Sequence, residues 1–275
     1  WDHNAAKKAA WLMATFPTII LYSSSILREP YIIFILLISL INSVRFIREE
    51  TIKSFLYTLI SFFILSYFHG AMTIGLFILL FFLTLRHTKK FFKDLKNFKL
   101  NVRTVLFLVL GLIPLIVFLI YNYQLPYIGG IKTIFNFDLL IDIFNGKRNS
   151  FGNTTYLSSL PDNNLYEFIQ KLTLKLFYFT YGPFFWNINT TYHILGLIDG
   201  MIYFVLTIYI LKNWANIWKN PITRFFLTLL LIYIFIYGFA VDNFGAAIRH
   251  RLKFLVIFIV LAAPKINRII IFKKK

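Results

Sequence analysis

The densest group of reactive side chains lies at residues 242–253, DNFGAAIRHRLK. Arg249, Arg251 and Lys253 are strong donors to phosphate oxygens, and Arg249 and Lys253, four apart, share a face of any helix they lie on. Asp242 or Asn243 can cap that helix and leave free N–H groups at its positive dipole end for an anion. Gly245 and the two alanines after it leave room for close approach. The segment reads either as a phosphate or pyrophosphate site or as a contact for anionic lipid headgroups. Arg249 and Arg251 point about 200° apart on a helix, so both serve one ligand only near the helix end. Arg249 is nearer the cap and is the stronger candidate of the two.

A second group is Arg28-Glu29-Pro30, set in LYSSSILREP between two oily runs. In one reading Arg28 binds an anionic group and Glu29 orients it or acts as a base, since ionisable residues at membrane depth are functional candidates. In the other the triplet is a capping turn: Pro30 suits a first helical turn, Glu29 complements the dipole, and Arg28 reaches the membrane interface. Asp138 and Asp142, also four apart, form either a carboxylate pair for acid–base or divalent-metal chemistry or a solvated helix face. KRNSFGNTTY (147–156) reads as a mobile loop able to touch sugars. YGPFFWNINTTY (181–192), with Tyr181 and Trp186, reads as an aromatic belt at the membrane interface or as a sugar-stacking surface. Asp199 sits inside an apolar run and needs a partner or a wet cavity.

The elements that must position these residues are membrane helices. The 275-residue chain is 59% hydrophobic and 15% charged, with 33 phenylalanines and a mean hydropathy of +0.70. A soluble domain carries roughly a quarter charged residues. The fold class expected is all-α, a polytopic transmembrane helical bundle of about eight spans. The apolar runs are 9–27, 31–47, 54–68, 71–86, 104–122, 192–211, 224–240 and 253–264, with a further stretch at 172–186 broken at Gly182-Pro183. The net charge of +18 falls in patches rather than on a nucleic-acid-binding face. RHTKKFFKDLKNFKLNVR (86–103) holds seven basic residues against Asp94 alone, which places it in the cytoplasm by the positive-inside rule. Alternation then puts Ser23–Pro30, His69, the loop 123–171 and residues 242–253 on the exterior. Runs 54–68 and 71–86 are either a hairpin turning at His69-Gly70 or one long tilted helix. The organisation expected is N-terminal spans over 1–122 with a cytoplasmic loop at 87–103, an exterior region at 123–171, and C-terminal spans over 172–275.

There are no cysteines, hence no disulfide, thiolate metal site or cysteine nucleophile. P-loop, GxSxG, HExxH and dinucleotide glycine patterns are absent from the sequence. No metal or other cofactor is expected; a divalent metal has only the Asp138/Asp142 pair to point to it. The chain opens on Trp1 inside an apolar stretch, without a signal-peptide pattern, and is expected to be part of a longer protein.

Four stretches, FPTIILYSSSILREP (16–30), LSYFHGAM (65–72), YFTYGPFFW (178–186) and NFGAAIRHR (243–251), together resemble bacterial envelope proteins related to C-type membrane glycosyltransferases and O-antigen-type polysaccharide polymerases. The resemblance implies a multi-pass protein of the bacterial inner membrane that transfers sugars from polyprenyl-phosphate-linked donors at the exterior face. In that reading Arg28, Arg249 and Arg251, with Lys253, hold the lipid-linked pyrophosphate and offset leaving-group charge. Glu29 or His69 is the base for the acceptor hydroxyl, and Tyr181 and Trp186 stack on sugar. The partners expected are the lipid-linked glycan, membrane lipids and other envelope-assembly proteins, and no nucleic acid. Two alternatives stand beside it, a transporter or flippase of lipid-linked glycans and a non-catalytic membrane scaffold. A flippase predicts charge through the bundle, whereas charge here lies mainly at the ends, Asp199 excepted.

Overall fold

The computed structural model describes residues 2–25, 27–97, 101–120, 154–157 and 165–266. In chain order the α-helices are α1 (His3–Thr15), α2 (Pro17–Ser23), α3 (Glu29–Glu49), α4 (Ile52–Phe68), α5 (Thr73–Lys96) and α6 (Val102–Ile120). There follow α7 (Leu165–Tyr181), α8 (Thr191–Lys212), α9 (Trp214–Lys219), α10 (Pro221–Ala240), α11 (Phe244–Leu252) and α12 (Leu255–Ala262). Among the described residues there is no strand, only an isolated antiparallel bridge between Thr155 and Asn243. The chain divides into two compact units, Trp1–Phe34 with Arg148–Lys275, and Ile35–Lys147.

Among the described residues four helices are long and apolar enough to cross a membrane: Glu29–Glu49, Gly70–Lys96, Thr191–Lys212 and Pro221–Ala240. The eight spans expected are thus four among the described residues; the run 54–68 gives the 17-residue α4, and two other runs give shorter helices still, for reasons written in their residues. The run 9–27 breaks at Phe16, which is extended (φ −69°, ψ 123°) because the ring of Pro17 disfavours helical backbone at the residue before it. The products, α1 with 13 residues and α2 with 7, are each shorter than a bilayer requires. The run 253–264 yields α12, only eight residues long and buried on nearly every side. A helix apolar all round is satisfied inside protein as well as in lipid.

In the unit Ile35–Lys147, residues 54–86 form a hairpin. His69 leaves helical geometry (φ −156°, ψ 107°) and a 3-10 turn, Gly70–Met72, reverses the chain into α5. Phe46, Phe55, Leu80, Leu83 and Phe107 make the core, with Phe46, Phe55 and Phe107 meeting pairwise at tilted and edge-on angles. Glu50, in left-handed backbone at φ 49°, ends α3 and pairs with Arg86 at 2.5 Å and Lys90 at 3.6 Å. The segment 87–103, expected as a loop, is mostly helix, since α5 continues to Lys96.

In the other unit α7, α8, α10, α11 and α12 pack together, with α1 and α2 against α12 and α8. Close approach of α7 to α8 depends on Gly200, where an added methyl would collide with the Tyr181 carbonyl. Tyr203, Tyr233, Tyr237, Phe254 and Phe258 fill the interior.

Candidate functional site

The sequence capped the helix at 243 with either of two residues, and Asn243 is the cap. Its Oδ1 accepts from the backbone N–H of Gly245 (2.8 Å) and Ala246 (3.3 Å). A strap of chain, Thr154–Tyr156, lies across the same end. The Thr154 carbonyl accepts from Phe244 N–H at 3.1 Å and the Asp242 carbonyl from Tyr156 N–H at 2.8 Å. Asn243 Nδ2 donates to Thr154 Oγ1 at 2.5 Å. The expected free N–H groups at this helix start are therefore occupied, and an anion has no place there. The 154–156 end of the expected sugar-touching loop is likewise fixed: Tyr156 is buried, stacked on Tyr178, and donates to the Val241 carbonyl at 2.7 Å. Burial, with Asp242 adding, pushes the Tyr156 phenol well above its ordinary range, so it stays protonated and donating.

The charged side chains gather toward the other end of α11. Arg249 Nε is ion-paired and hydrogen-bonded to Glu29 Oε1. The guanidinium side is open (38% exposed) while the carboxylate side is fully buried (0%). Glu29 is the first residue of α3, where the helix dipole favours a negative charge. Its second oxygen, Oε2, makes no hydrogen bond. A buried carboxylate oxygen left unmatched costs about 1–3 kcal/mol or more, and it is the state a proton acceptor requires. Arg28 is exposed beside it.

Lys253, at the end of α11, joins this group. Its Nζ lies 2.7 Å from His250 Nδ1 and 5.4 Å from the centre of the Tyr237 ring, against which His250 also stacks. Burial pushes the Lys253 ammonium down to about 7; Glu29 opposes that shift, and Arg28 and Arg249 add to it. The arrangement is one buried carboxylate bonded to Arg249, with Lys253 within electrostatic reach of Glu29, Arg249 and the exposed Arg28. His250 and Tyr237 were not singled out from the sequence. The signal for His250 was its place three residues before Lys253 on one helix.

Arg251 turns the opposite way. It is fully buried, and its Nη1 donates to the Thr180 carbonyl (3.2 Å) and to that of Gly182, its Nη2 to that of Gly196 (2.8 Å). Its guanidinium holds the end of α7 against α8 and does not join Arg249. Tyr181 is half-buried, with its hydroxyl on Thr207 Oγ1 at 3.1 Å. Trp186 is 59% exposed, stacked on Phe184 and edge-on to Phe185, so one aromatic face remains open. His69 belongs to the other unit, at the end of α4, and is buried. Asp199 is buried in α8. Asp138 and Asp142 lie outside the described residues, as do 147–153. Among the described residues no three His, Asp or Glu side chains come together as metal ligands.

Comparisons with protein-family models, with curated proteins and with solved structures return no match to this chain.

Proposed function

We propose that the chain is a membrane glycosyl-transfer protein of bacterial envelope polysaccharide assembly, of the polymerase type, using sugars carried on polyprenyl phosphate or pyrophosphate. The observation that carries the reading is the Glu29 carboxylate, buried, bound to Arg249 through one oxygen and unmatched at the other, within a group of cations. Glycosyl transfer needs both parts. The acceptor hydroxyl oxygen bonds to the anomeric carbon, the bond from that carbon to the phosphate oxygen breaks, and the phosphate leaves with the electron pair. Arg249, Arg28 and Lys253 offset the charge that grows on the leaving phosphate, and Glu29 Oε2 takes the acceptor proton. Trp186 and Phe185 offer an open aromatic surface to a sugar face. Arg251 acts here as a positioning residue behind α11, and the substrate phosphate meets Arg249.

The test is transfer in vesicles containing the purified chain, a polyprenyl-phosphate-linked or pyrophosphate-linked sugar and an oligosaccharide acceptor. Arg249→Ala is expected to lower transfer at least a hundredfold, and Arg249→Lys, which keeps a cation beside the buried Glu29 carboxylate, controls for the stability lost when that partner is removed. Transfer undiminished in Arg249→Ala, or no transfer from either donor class by the wild-type chain, overturns the proposal.

A further inference from the structure

α2 and α8 pack along a polar seam remote in sequence from the charged group above. At one end the Tyr22 and Tyr192 hydroxyls hydrogen-bond to each other. At the other Phe16 meets Tyr203 edge-on, ring centres 5.5 Å apart. Between them Thr18 faces Asp199. The pairs 22/192, 18/199 and 16/203 run in opposite directions, so the two helices are antiparallel. Arg251 enters the seam from α11, its Nη2 on the Gly196 carbonyl at 2.8 Å and its guanidinium carbon 5.1 Å from the Tyr203 ring centre. Gly196, Asp199 and Tyr203 recur at three- and four-residue steps, one face of α8. The guanidinium therefore lies along the face that carries the carboxylate.

Thr18, Asp199, Tyr203 and Arg251 are each at most 1% exposed. Within this dry surround Thr18 Oγ1, both Asp199 oxygens, the Tyr203 hydroxyl and Arg251 Nε make no hydrogen bond. Thr18 presents both its hydroxyl and its backbone N–H to the carboxylate, yet neither closes to bonding geometry. Buried polar atoms in native proteins are almost always matched by protein or by ordered water. Here the unmatched atoms are complementary: three donors and one two-oxygen acceptor share one buried seam. A buried water makes about three hydrogen bonds and suits such a place.

We propose that Thr18, Asp199, Tyr203 and Arg251 enclose an internal hydrated site, in which bound water bridges the Asp199 carboxylate to the Arg251 guanidinium. The water accepts from Arg251 Nε and the Tyr203 hydroxyl and donates to Asp199 and to Thr18 Oγ1. The bridge joins α2, α8 and α11 and gives an aspartate inside an apolar helix the wet surroundings its charge requires. It stands independently of the glycosyl-transfer reading.

The experiment is a set of apparent Tm values for the purified chain in detergent. Thr18→Val and Tyr203→Phe each delete one hydroxyl and keep the shape. With water in the site each is expected to lower Tm by about 2–4 °C. The double variant should fall by less than the sum, because the second deletion acts on a bridge already broken. If the site is dry, each deletion removes an unmatched polar atom, and Tm stays level or rises. That result overturns the proposal. Asp199→Asn removes the counter-charge to Arg251 and is expected to lower Tm more than either; a wild-type Tm in this variant also overturns it. Should Asp199→Asn fail to accumulate, the two hydroxyl variants decide the matter alone.

Discussion

Glu29 and Arg249, 220 residues apart in the chain, form an ion pair whose carboxylate is fully buried and whose guanidinium is partly open. The pair has an asymmetric consequence. Glu29 is the resident anion of a group of cations, so any phosphate arriving at Arg249 competes with it. An anion that displaces the carboxylate frees both of its oxygens at the moment the acceptor must lose a proton.

The first prediction follows from that competition. Glu29→Gln keeps the shape and removes the negative charge, so it is expected to bind inorganic pyrophosphate or an isoprenoid diphosphate about tenfold more tightly than wild type, about 1.4 kcal/mol. Glycosyl transfer should be lost in the same variant. Titration calorimetry beside the vesicle assay reads both. Weaker diphosphate binding in Glu29→Gln would show that the carboxylate organises the cations instead of competing for them.

A second prediction separates the two arginines. Arg251 occupies three carbonyls in the interior, and removing a buried charged partner costs about 3–5 kcal/mol. Arg251→Lys is expected to lower Tm by roughly 6–20 °C, at 2–4 °C for each kcal/mol, because lysine lacks the planar fork that reaches three acceptors. Arg249→Lys should leave Tm near wild type and weaken diphosphate binding, since it keeps the charge and loses the paired donors. Thermal scanning and calorimetry on the two variants check it. Equal stability losses would mean that Arg249 is as structural as Arg251.

Much of this arrangement was legible in the residues, and the limits have physical causes. Composition and run length pointed to helices apolar enough for a membrane, and Glu29 and Arg249 were each singled out, one as a base and one as a donor to phosphate, without being paired. Two side chains about 200° apart on a helix must face different ways, but a single sequence does not say which way is inward. That depended on carbonyls at Thr180, Gly182 and Gly196, contributed by chain more than fifty residues away. The free helix start expected at Asn243 was filled by Thr154, again a contact across distant sequence. Local rules failed least where they were obeyed locally: Pro17 does break its run, although an apolar count from 9 to 27 reads straight through it.

A third prediction concerns pH. Lys253 is faced by Arg28, Glu29, Arg249, His250 and Tyr237, and burial lowers it from 10.5 to about 7. The folded protein therefore holds fewer protons than the unfolded chain between about 7 and 10.5. Stability should rise with pH across that window, with the penalty at full size below about 7. Anion binding slopes the other way, because the ammonium is the form that binds, so diphosphate affinity should fall as pH rises through about 7. Lys253→Met is expected to flatten both slopes. Comparing wild type with the variant at each pH removes the ionisation of the diphosphate itself. Parallel profiles for the two proteins would mean that Lys253 does not titrate in this range.

The last prediction is the sidedness of the unit that holds the site. Residues 212–221, KNWANIWKNP, carry only basic charges, and Trp214 and Trp218 stack there as an exposed pair. Tryptophans at a helix end mark a membrane interface on either side, and the lysines favour the cytoplasmic one. Ser25 sits just before Arg28 and Glu29 and is exposed. If the phosphate site opens to the exterior, a cysteine at Ser25 reacts with a membrane-impermeant thiol reagent in intact cells. A cysteine at Lys219 should react only after the membrane is opened. The natural chain has no cysteine, so each signal belongs to the introduced residue. α8, 22 residues long, rises about 33 Å at 1.5 Å per residue, enough to separate the two sides. Reaction of Lys219→Cys but not Ser25→Cys in intact cells would place the cations on the cytoplasmic face, where lipid-linked sugar donors would have to be met before they cross the membrane.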